Sequence, residues 1–485
     1  MKNKKNSGKS KKEKGERRGG NREILVVTYL LSAMFLGLIG YFVYFMTVQS
    51  KDVINNSYNQ RQTLLAQKVV RGKILGSKGE VLAETVSDGS GGETRSYPYG
   101  RLFTHVVGHF SQGKTGVELS ENFNLLTSND NPATNFQKKM EGKKTIGDNA
   151  ITTLNVDLQK VAYDALGDHK GAVVVMEPST GKILAMVSKP DYDPSPASLD
   201  VQWNNLVEDA NEESCLINRA AQGLYPPGST FKIMTTLAYI RQAKDTSKFS
   251  YQCQGKEEQD GVVVNCYQNH VHGNVNLQEA FAKSCNSCFA YIGTTLNINQ
   301  YRKVCESFYF NAKLPTKIVH NSSSFVVNSG SDKEEIMHTA MGQGKTQITP
   351  LHAAMIVSTI ANKGVMMQPY VVEKLESNNG TIVRQAKETV AGTLMTEEET
   401  KELTTYMTEV VRSGTATSLS SLSYSVAGKT GSAEYDATKN SHAWFLGFAP
   451  ADNPKVAVAV IVEGAGTGSQ YAVPVAKAVF QSYLG

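Results

Sequence analysis

YPPGSTFKIMTTLAYIRQAK, residues 225–244, is the stretch around which the rest of the chain is arranged. Pro226, Pro227 and Gly228 neither continue a helix nor hold a strand, so the backbone breaks there. From Thr230 to Lys244 the residues suit a helix, with apolar positions at Phe231, Ile233, Met234, Leu237, Ala238 and Ile240. Ser229 therefore stands at a helix N-terminus, where free backbone N–H groups favour negative charge. Lys232 follows three residues later on the same face. A hydroxyl one turn from an amine is the minimum for a serine nucleophile with a lysine base. Ser111/Lys114 and Ser179/Lys182 repeat the spacing, but the first sits in a Gly-flanked loop and the second in the hairpin turn EPSTGK. Only Ser229 stands at a junction between a chain break and a helix.

Working outward, the texture on both sides is that of one large domain. NVDLQKVAYDALGD (155–168) reads as an amphipathic helix starting near Asn155 or Asp157. GAVVVMEPSTGKILAMVS (171–188) reads as strand, turn, strand. Residues from about 200 to 415 read as mostly helical with polar loops. SVAGKTGSAE (425–434), HAWFLGFAP (442–450) and KVAVAVIVEG (455–464) are three strand candidates in succession, and YAVPVAKAVFQSYLG (471–485) closes as a helix. That order predicts an α+β domain over 151–485, with an antiparallel sheet of about five strands, terminal helices on one face and an inserted helical subdomain.

The N-terminal side reads differently. Residues 1–22 carry ten Lys or Arg and two Asp or Glu, a charge of +8, which leaves −3 for the remainder of a chain of net charge +5. The near-neutral body gives no argument for nucleic acid as a partner. The basic tail (1–23) runs into ILVVTYLLSAMFLGLIGYFVYFMTV, residues 24–48, with no charged residue in 25 positions. At about 1.5 Å per residue this crosses a hydrocarbon layer of about 30 Å. It is too long for the core of a cleaved signal peptide, and Phe, Tyr and Met fill its end where small residues would mark a cleavage site. The expectation is a single-pass anchor in the cell membrane. The positive-inside rule puts the tail in the cytoplasm and the body outside. Residues 49–150 have room for a small pedestal, with two short strands expected around Ser77-Lys78-Gly79.

An extracytoplasmic body permits disulfides. Cys253 and Cys266 flank a polar hairpin-like segment that brings them within reach of a bridge. The same two with His270 and His272 offer zinc ligands instead, but no Cys-x-x-Cys pair accompanies them. No metal and no cofactor is expected.

Two more short patterns lie within the large domain. FAKSCNSCF (281–289) sets Ser284 and Asn286 on either side of Cys285, where a tight turn can aim both at one cleft; a helix cap is the plainer reading. VAGKTGSAE (426–434) carries Lys429, Thr430 and Gly431 on the first late strand, with Lys429 and Ser432 expected on one side and Gly431 admitting a close backbone. Decoys occur at Ser57/Asn59, Ser120/Asn122 and Lys114-Thr115-Gly116, and the last overlaps Ser111/Lys114, so one lysine would need both roles.

Ser-x-x-Lys, Ser-x-Asn and Lys-Thr-Gly, in that order in one domain, form the motif set of penicillin-binding proteins and class A β-lactamases. The chain resembles a class B penicillin-binding protein, a membrane-anchored peptidoglycan D,D-transpeptidase, over nearly all of residues 50–485. RGKI (71–74), YPYG with VVGHF and GVEL (97–119), NRAAQGLYPPGSTFK (218–232), VHGNVNLQEAFAKSCN (271–286) and MGQGKTQITPLHAA (341–354) add to the likeness. The family's usual Asp-Arg-Asn-Gly is Gly76-Ser77-Lys78-Gly79 here, a departure in the pedestal. The resemblance implies a serine β-lactamase-like transpeptidase fold and a substrate ending in D-Ala-D-Ala. It implies Ser229 as nucleophile, Lys232 as base, Ser284 as proton relay and Lys429 as charge, with Asn286, Thr430, Gly431 and Ser432 holding substrate. It further implies acylation by β-lactams and a membrane glycan polymerase of the SEDS type as partner. No Glu placed to activate water for a β-lactamase is evident, and residues 51–150 are too few for a glycosyltransferase.

Overall fold

The computed structural model describes residues 13–46, 67–87, 92–208, 213–243, 245–434 and 440–485. The start of the basic tail, the end of the apolar run, part of the loop expected at 87–100 and Lys244 lie outside these. Residues 1–63 and 64–485 form two separate units. In the first, a helix spans Glu13–Tyr44, and its Arg22–Tyr44 portion is long and apolar enough to cross a membrane.

The second unit is built on a five-stranded sheet. Its strands are β1 (Gly171–Met176), β2 (Ile183–Lys189), β3 (Ala427–Ala433), β4 (His442–Ala449) and β5 (Val456–Val462), in the order β3-β4-β5-β1-β2 with every pairing antiparallel. The expectation of about five strands is met, and β1 and β2 turn at Gly181, whose φ of +85 suits a residue without a side chain. Every residue of β4 and β5 is buried. Successive side chains in a strand point to opposite faces, so both faces must be covered.

The covering helices follow from caps and apolar stripes. Helix α1 (Val156–Leu166) starts where the Asn155 side chain accepts from the Leu158 N–H, as an N-cap does. Helix α2 (Lys232–Ala243) carries the first motif, and α3 (Asn286–Thr295) follows the second. Helix α4 (Pro350–Ala361) has Pro at its first position and is buried throughout, packing on β1, β4 and β5. Helix α5 (Glu397–Arg412) opens with a capping box of Thr396 and Glu399 and packs on β3. Helix α6 (Gly468–Leu484) starts three residues before the apolar run suggests, packs on α1 and lays Phe480 edge-on to Phe445 of β4.

Residues 200–415 are less helical than expected. Among the described residues they hold short strands at Tyr251–Cys253, Lys256–Gln259, Val262–Asn265, Gly273–Val275, Val365–Met367, Val372–Glu376, Ile382–Gln385 and Val390–Thr393. These are too short and too exposed to show a clean alternation in sequence. Two of them change the architecture. Val372–Glu376 and Ile382–Gln385 join Asn149–Thr152, Ile74–Leu75, Val81–Ser87 and Glu93–Ser96 in a six-stranded mixed sheet. The sheet of the N-terminal part of this unit is thus completed by strands from far along the chain.

A buried ion cluster stands beside that sheet. Arg71 Nε donates to Glu118 Oε2 and Arg95 Nε to Glu118 Oε1, both at 2.7 Å, and Glu118 is fully buried. RGKI and GVEL, read from the sequence as family stretches, thus meet through one carboxylate.

Candidate active site

Gly228–Phe231 forms a short 3-10 turn that runs straight into α2. Gly228 has φ +56, and a Cβ there would lie 2.9 Å from the Ser432 carbonyl oxygen. The break after Pro227 therefore needs glycine on two counts, backbone conformation and the close passage of β3. Trp444 Nε1 on β4 donates to the Pro226 carbonyl at 3.1 Å, and Arg219 and Tyr225 both donate to Glu463, at 2.8 and 2.6 Å. These bonds tie the nucleophile segment to the central sheet. Ser229 is half-buried, and among the described residues no side chain hydrogen-bonds its hydroxyl.

Lys232 is 0% exposed. Its Nζ donates to the Ser284 carbonyl at 2.7 Å, to Asn286 Oδ1 at 2.8 Å and to Ser284 Oγ at 3.2 Å. Ser284 has φ +56, a left-handed conformation uncommon for a residue with a side chain. The turn presents both the carbonyl and the hydroxyl of Ser284 to the same amine. Such strain persists only where the surroundings over-determine it, which is common at functional sites. Asn286 then starts α3, and its Nδ2 donates to the Asn265 carbonyl at 3.2 Å.

Lys429, on β3, is likewise 0% exposed, and its Nζ donates to Ser284 Oγ at 2.9 Å and to the Thr430 carbonyl at 3.1 Å. The three motifs, separated by up to 200 positions, thus meet at one hydroxyl. Among the described residues neither lysine has a carboxylate partner. Each instead lies near an aromatic ring, Lys232 over Phe289 at 5.3 Å and Lys429 over Phe281 at 5.6 Å.

The electrostatic result is two weakened cations. Burial lowers Lys232 to about 8. Burial also pushes Lys429 well below the usual lysine range, and the charge of Lys232 adds to the effect. A lysine so placed loses its proton readily and can accept one from a hydroxyl.

The rest of the expected set is arranged along β3. Gly431 allows a close approach: a Cβ there would lie 3.0 Å from Thr230 Cγ2 and 3.2 Å from the Pro227 carbonyl. Lys429 and Ser432 do not share a side of the strand, contrary to the sequence expectation. They are three positions apart, side chains alternate, and Ser432 Oγ instead accepts from the Gly468 N–H at the start of α6 (3.4 Å). Thr430 shares a 2.5 Å hydrogen bond with Thr415, a site neighbour that sequence reading missed because a lone Thr in a loop carries no signal. Cys253 and Cys266 are not bridged; their sulfurs lie 3.8 Å apart, and a third sulfur, that of Cys285, comes within 3.8 Å of Cys266.

Residues 171–482 match the penicillin binding protein transpeptidase domain family, and residues 71–150 match the penicillin binding protein A dimerisation domain family. Peptidoglycan D,D-transpeptidase PbpA of Mycolicibacterium smegmatis is 32% identical over 88% of this chain and 91% of its own length. The ceftriaxone acyl-enzyme complex of penicillin-binding protein A from M. tuberculosis superposes with a TM-score of 0.79 at 31% identity, covering 87% of this chain and all of the other. The D,D-transpeptidase domain of a peptidoglycan glycosyltransferase from Eggerthella lenta gives a TM-score of 0.77, also at 31% identity, over 86% of this chain and 98% of its own. With its motif set gathered around the Ser284 hydroxyl and these likenesses spanning most of its length, the chain belongs to the penicillin-binding protein transpeptidase family.

Proposed function

We propose that this protein is a serine D,D-transpeptidase that cross-links peptidoglycan stem peptides and is acylated by β-lactams. The observation that carries the reading is the convergence of Lys232 and Lys429 on Ser284 Oγ, at 3.2 and 2.9 Å, beside Ser229.

Ser229 Oγ attacks the carbonyl between the two terminal D-Ala residues, and neutral Lys232 takes its proton. The N–H groups of Ser229 and Ser432 stabilise the oxyanion, the latter from β3, whose backbone passes close to Gly228. Ser284 relays a proton to the departing D-Ala amine, drawing on its bonds to both lysines. Lys429 is itself pushed down by burial and by the charge of Lys232 in the free protein; the substrate's terminal carboxylate, which Thr430 and Ser432 hold, draws the proton onto Lys429 and so leaves Lys232 neutral, while Gly431 lets the neighbouring backbone approach and Asn286 binds the substrate amide. The acyl group then passes to an amine of a neighbouring strand, which regenerates Ser229.

The same reading divides the chain into a cytoplasmic tail (1–23), a membrane anchor (24–48), a pedestal (49–150) and the transpeptidase domain (151–485). The catalytic part faces outward, beside a SEDS-type glycan polymerase. The apolar helix Arg22–Tyr44 and the basic residues before it support this topology.

Intact-mass measurement after penicillin, followed by peptide mapping, tests the assignment. One adduct on Ser229, absent in Ser229→Ala, is expected; an adduct on another serine overturns it. Protease added to intact protoplasts is expected to digest the catalytic part and spare the tail.

A further inference from the structure

Far along the chain from the motif set, the helix Pro132–Met140 carries its apolar stripe on the solvent side. Ala133, Phe136 and Met140 are spaced i, i+3 and i+7, the pattern that an amphipathic helix turns towards a core. Here all three face outward, with Phe136 67% and Met140 74% exposed. The other side of the helix is polar. Asn135 Nδ2 donates to the Ser128 and Asp130 carbonyls at 3.4 and 3.3 Å, and Asn135 Oδ1 accepts from the Ser128 hydroxyl at 3.2 Å. Lys138 is half-buried on that same side. Single exposed apolar side chains are ordinary on a surface. Two large ones a turn apart are not, and turning the helix to bury them would break the Asn135 bonds.

Charge and chain path decide what covers this stripe. Residues 138–144, KKMEGKK, hold four lysines and one glutamate. Lys143 pairs with Glu141 and Lys144 with Glu93, each at 2.9 Å, so the patch keeps a net charge of +2. These are exposed pairs, and the Lys143 side chain is 70% exposed, so both ammonium groups can exchange partners at little cost. A second copy of the same face would set lysine against lysine. An anionic phospholipid layer offers negative headgroups to the lysines and an acyl boundary to Phe136 and Met140. The chain path points the same way. Thr145–Ile146, next after Lys144, pairs in parallel with Val69–Val70, the first described strand of this unit. Chain arriving from the membrane-spanning helix Arg22–Tyr44 therefore joins the fold beside the lysine patch.

We propose that the helix Pro132–Met140 is a second membrane contact: it lies in the headgroup layer of an anionic bilayer, with Phe136 and Met140 at the acyl boundary and Lys143 and Lys144 on lipid phosphates. Two apolar side chains and a short run of lysines hold a free protein only weakly on a membrane. On a chain already anchored by one helix they need little affinity of their own, because the bilayer is always near. The contact depends on charge and is therefore weakened by salt.

The test places tryptophan at the stripe in the full chain. Phe136→Trp is reconstituted in nanodiscs of phosphatidylglycerol and phosphatidylcholine whose acyl chains carry bromine, which quenches tryptophan on contact. The parent chain, with Trp203 and Trp444, supplies the baseline. Val201→Trp, at a position 81% exposed on the helix Pro196–Glu208, is the control. In Phe136→Trp the added emission should shift to the blue and lose most of its intensity to brominated lipid, while Val201→Trp should lose none. The quenching should fall away in phosphatidylcholine alone, in high salt, and when Lys143→Glu and Lys144→Glu are added. All these substitutions lie at exposed or partly exposed positions, and thermal melts in detergent check that each variant folds. Absence of quenching in phosphatidylglycerol overturns the proposal, as does equal quenching at both positions or quenching indifferent to lipid charge and salt. A blue shift without quenching that grows with protein concentration overturns it in favour of a second copy; one that needs an added membrane protein overturns it in favour of that protein. None of these readouts depends on the proposed transpeptidase activity or on which side of the membrane the unit lies.

Discussion

Arg71, Arg95 and Glu118 in the N-terminal part of the folded unit, and Lys232 with Lys429 in the cleft, are two buried groups of charge handled in opposite ways. In the first, each carboxylate oxygen of Glu118 receives an arginine Nε, and Arg71 also reaches Asn122 and the Glu118 carbonyl. Burial alone would raise the Glu118 carboxyl, but Arg71 and then Arg95 outweigh it and hold it below the usual range. In the second, two amines share one serine hydroxyl with no carboxylate partner among the described residues, and both are pushed down. Opposite charges brought together stabilise a fold and settle into one protonation state. Amines buried without a counter-charge destabilise it and leave a proton easy to move, which is what acid–base chemistry needs.

The largest effect expected from breaking this contrast is kinetic. Lys232→Arg keeps a charge but cannot act as a base, so the second-order acylation rate with a fluorescent penicillin should fall about 10²–10⁴-fold. Lys429→Arg should keep a measurable fraction, and Lys429→Ala should lose far more. Equal loss in the two Lys429 variants, or near-normal acylation by Lys232→Arg, would show that the lysines do not divide the work this way.

Next in size is the paired cluster. Glu118→Ala leaves two buried guanidinium groups without their carboxylate and should cost about 3–5 kcal/mol, read by thermal or denaturant melts. Acylation per folded molecule should not change.

A smaller and opposite effect is expected in the cleft. Lys429→Met replaces a buried, carboxylate-free amine by an apolar chain of similar length and should raise stability by about 1–2 kcal/mol while acylation is lost. A destabilised Lys429→Met would place Lys429 with the structural charges.

The smallest effect lies in the pH profiles. Lys232 is lowered to about 8 when folded, against about 10.4 unfolded. Between those values the unfolded chain binds more protons, so stability should rise with pH there, and the rise should shrink in Lys232→Met. Glu118 is depressed in the folded state, so its contribution is present above about pH 4.3 and lost as the pH falls through its lower folded value. Glu118→Gln should flatten the acid limb and leave the alkaline one unchanged.

The amino-acid sequence by itself specifies the nucleophile junction, because Pro226-Pro227-Gly228 followed by an apolar helical stripe allows few backbone paths. The late strands were legible for a similar reason: VAVAVIV is β-branched and apolar throughout, and a run of that kind is buried on both faces. These are local properties of adjacent residues. What depended on distant partners was silent. The strands at 372–385 gain their place only by hydrogen bonding to Asn149–Thr152, and one of them, Ile382–Gln385, is exposed along its length. Thr415 matters only because Thr430 stands 2.5 Å away. The sequence determined which residues could do chemistry; tertiary packing decided that Lys232 and Lys429 would both be buried against Ser284, because burial and like-charge proximity belong to no single stretch of chain.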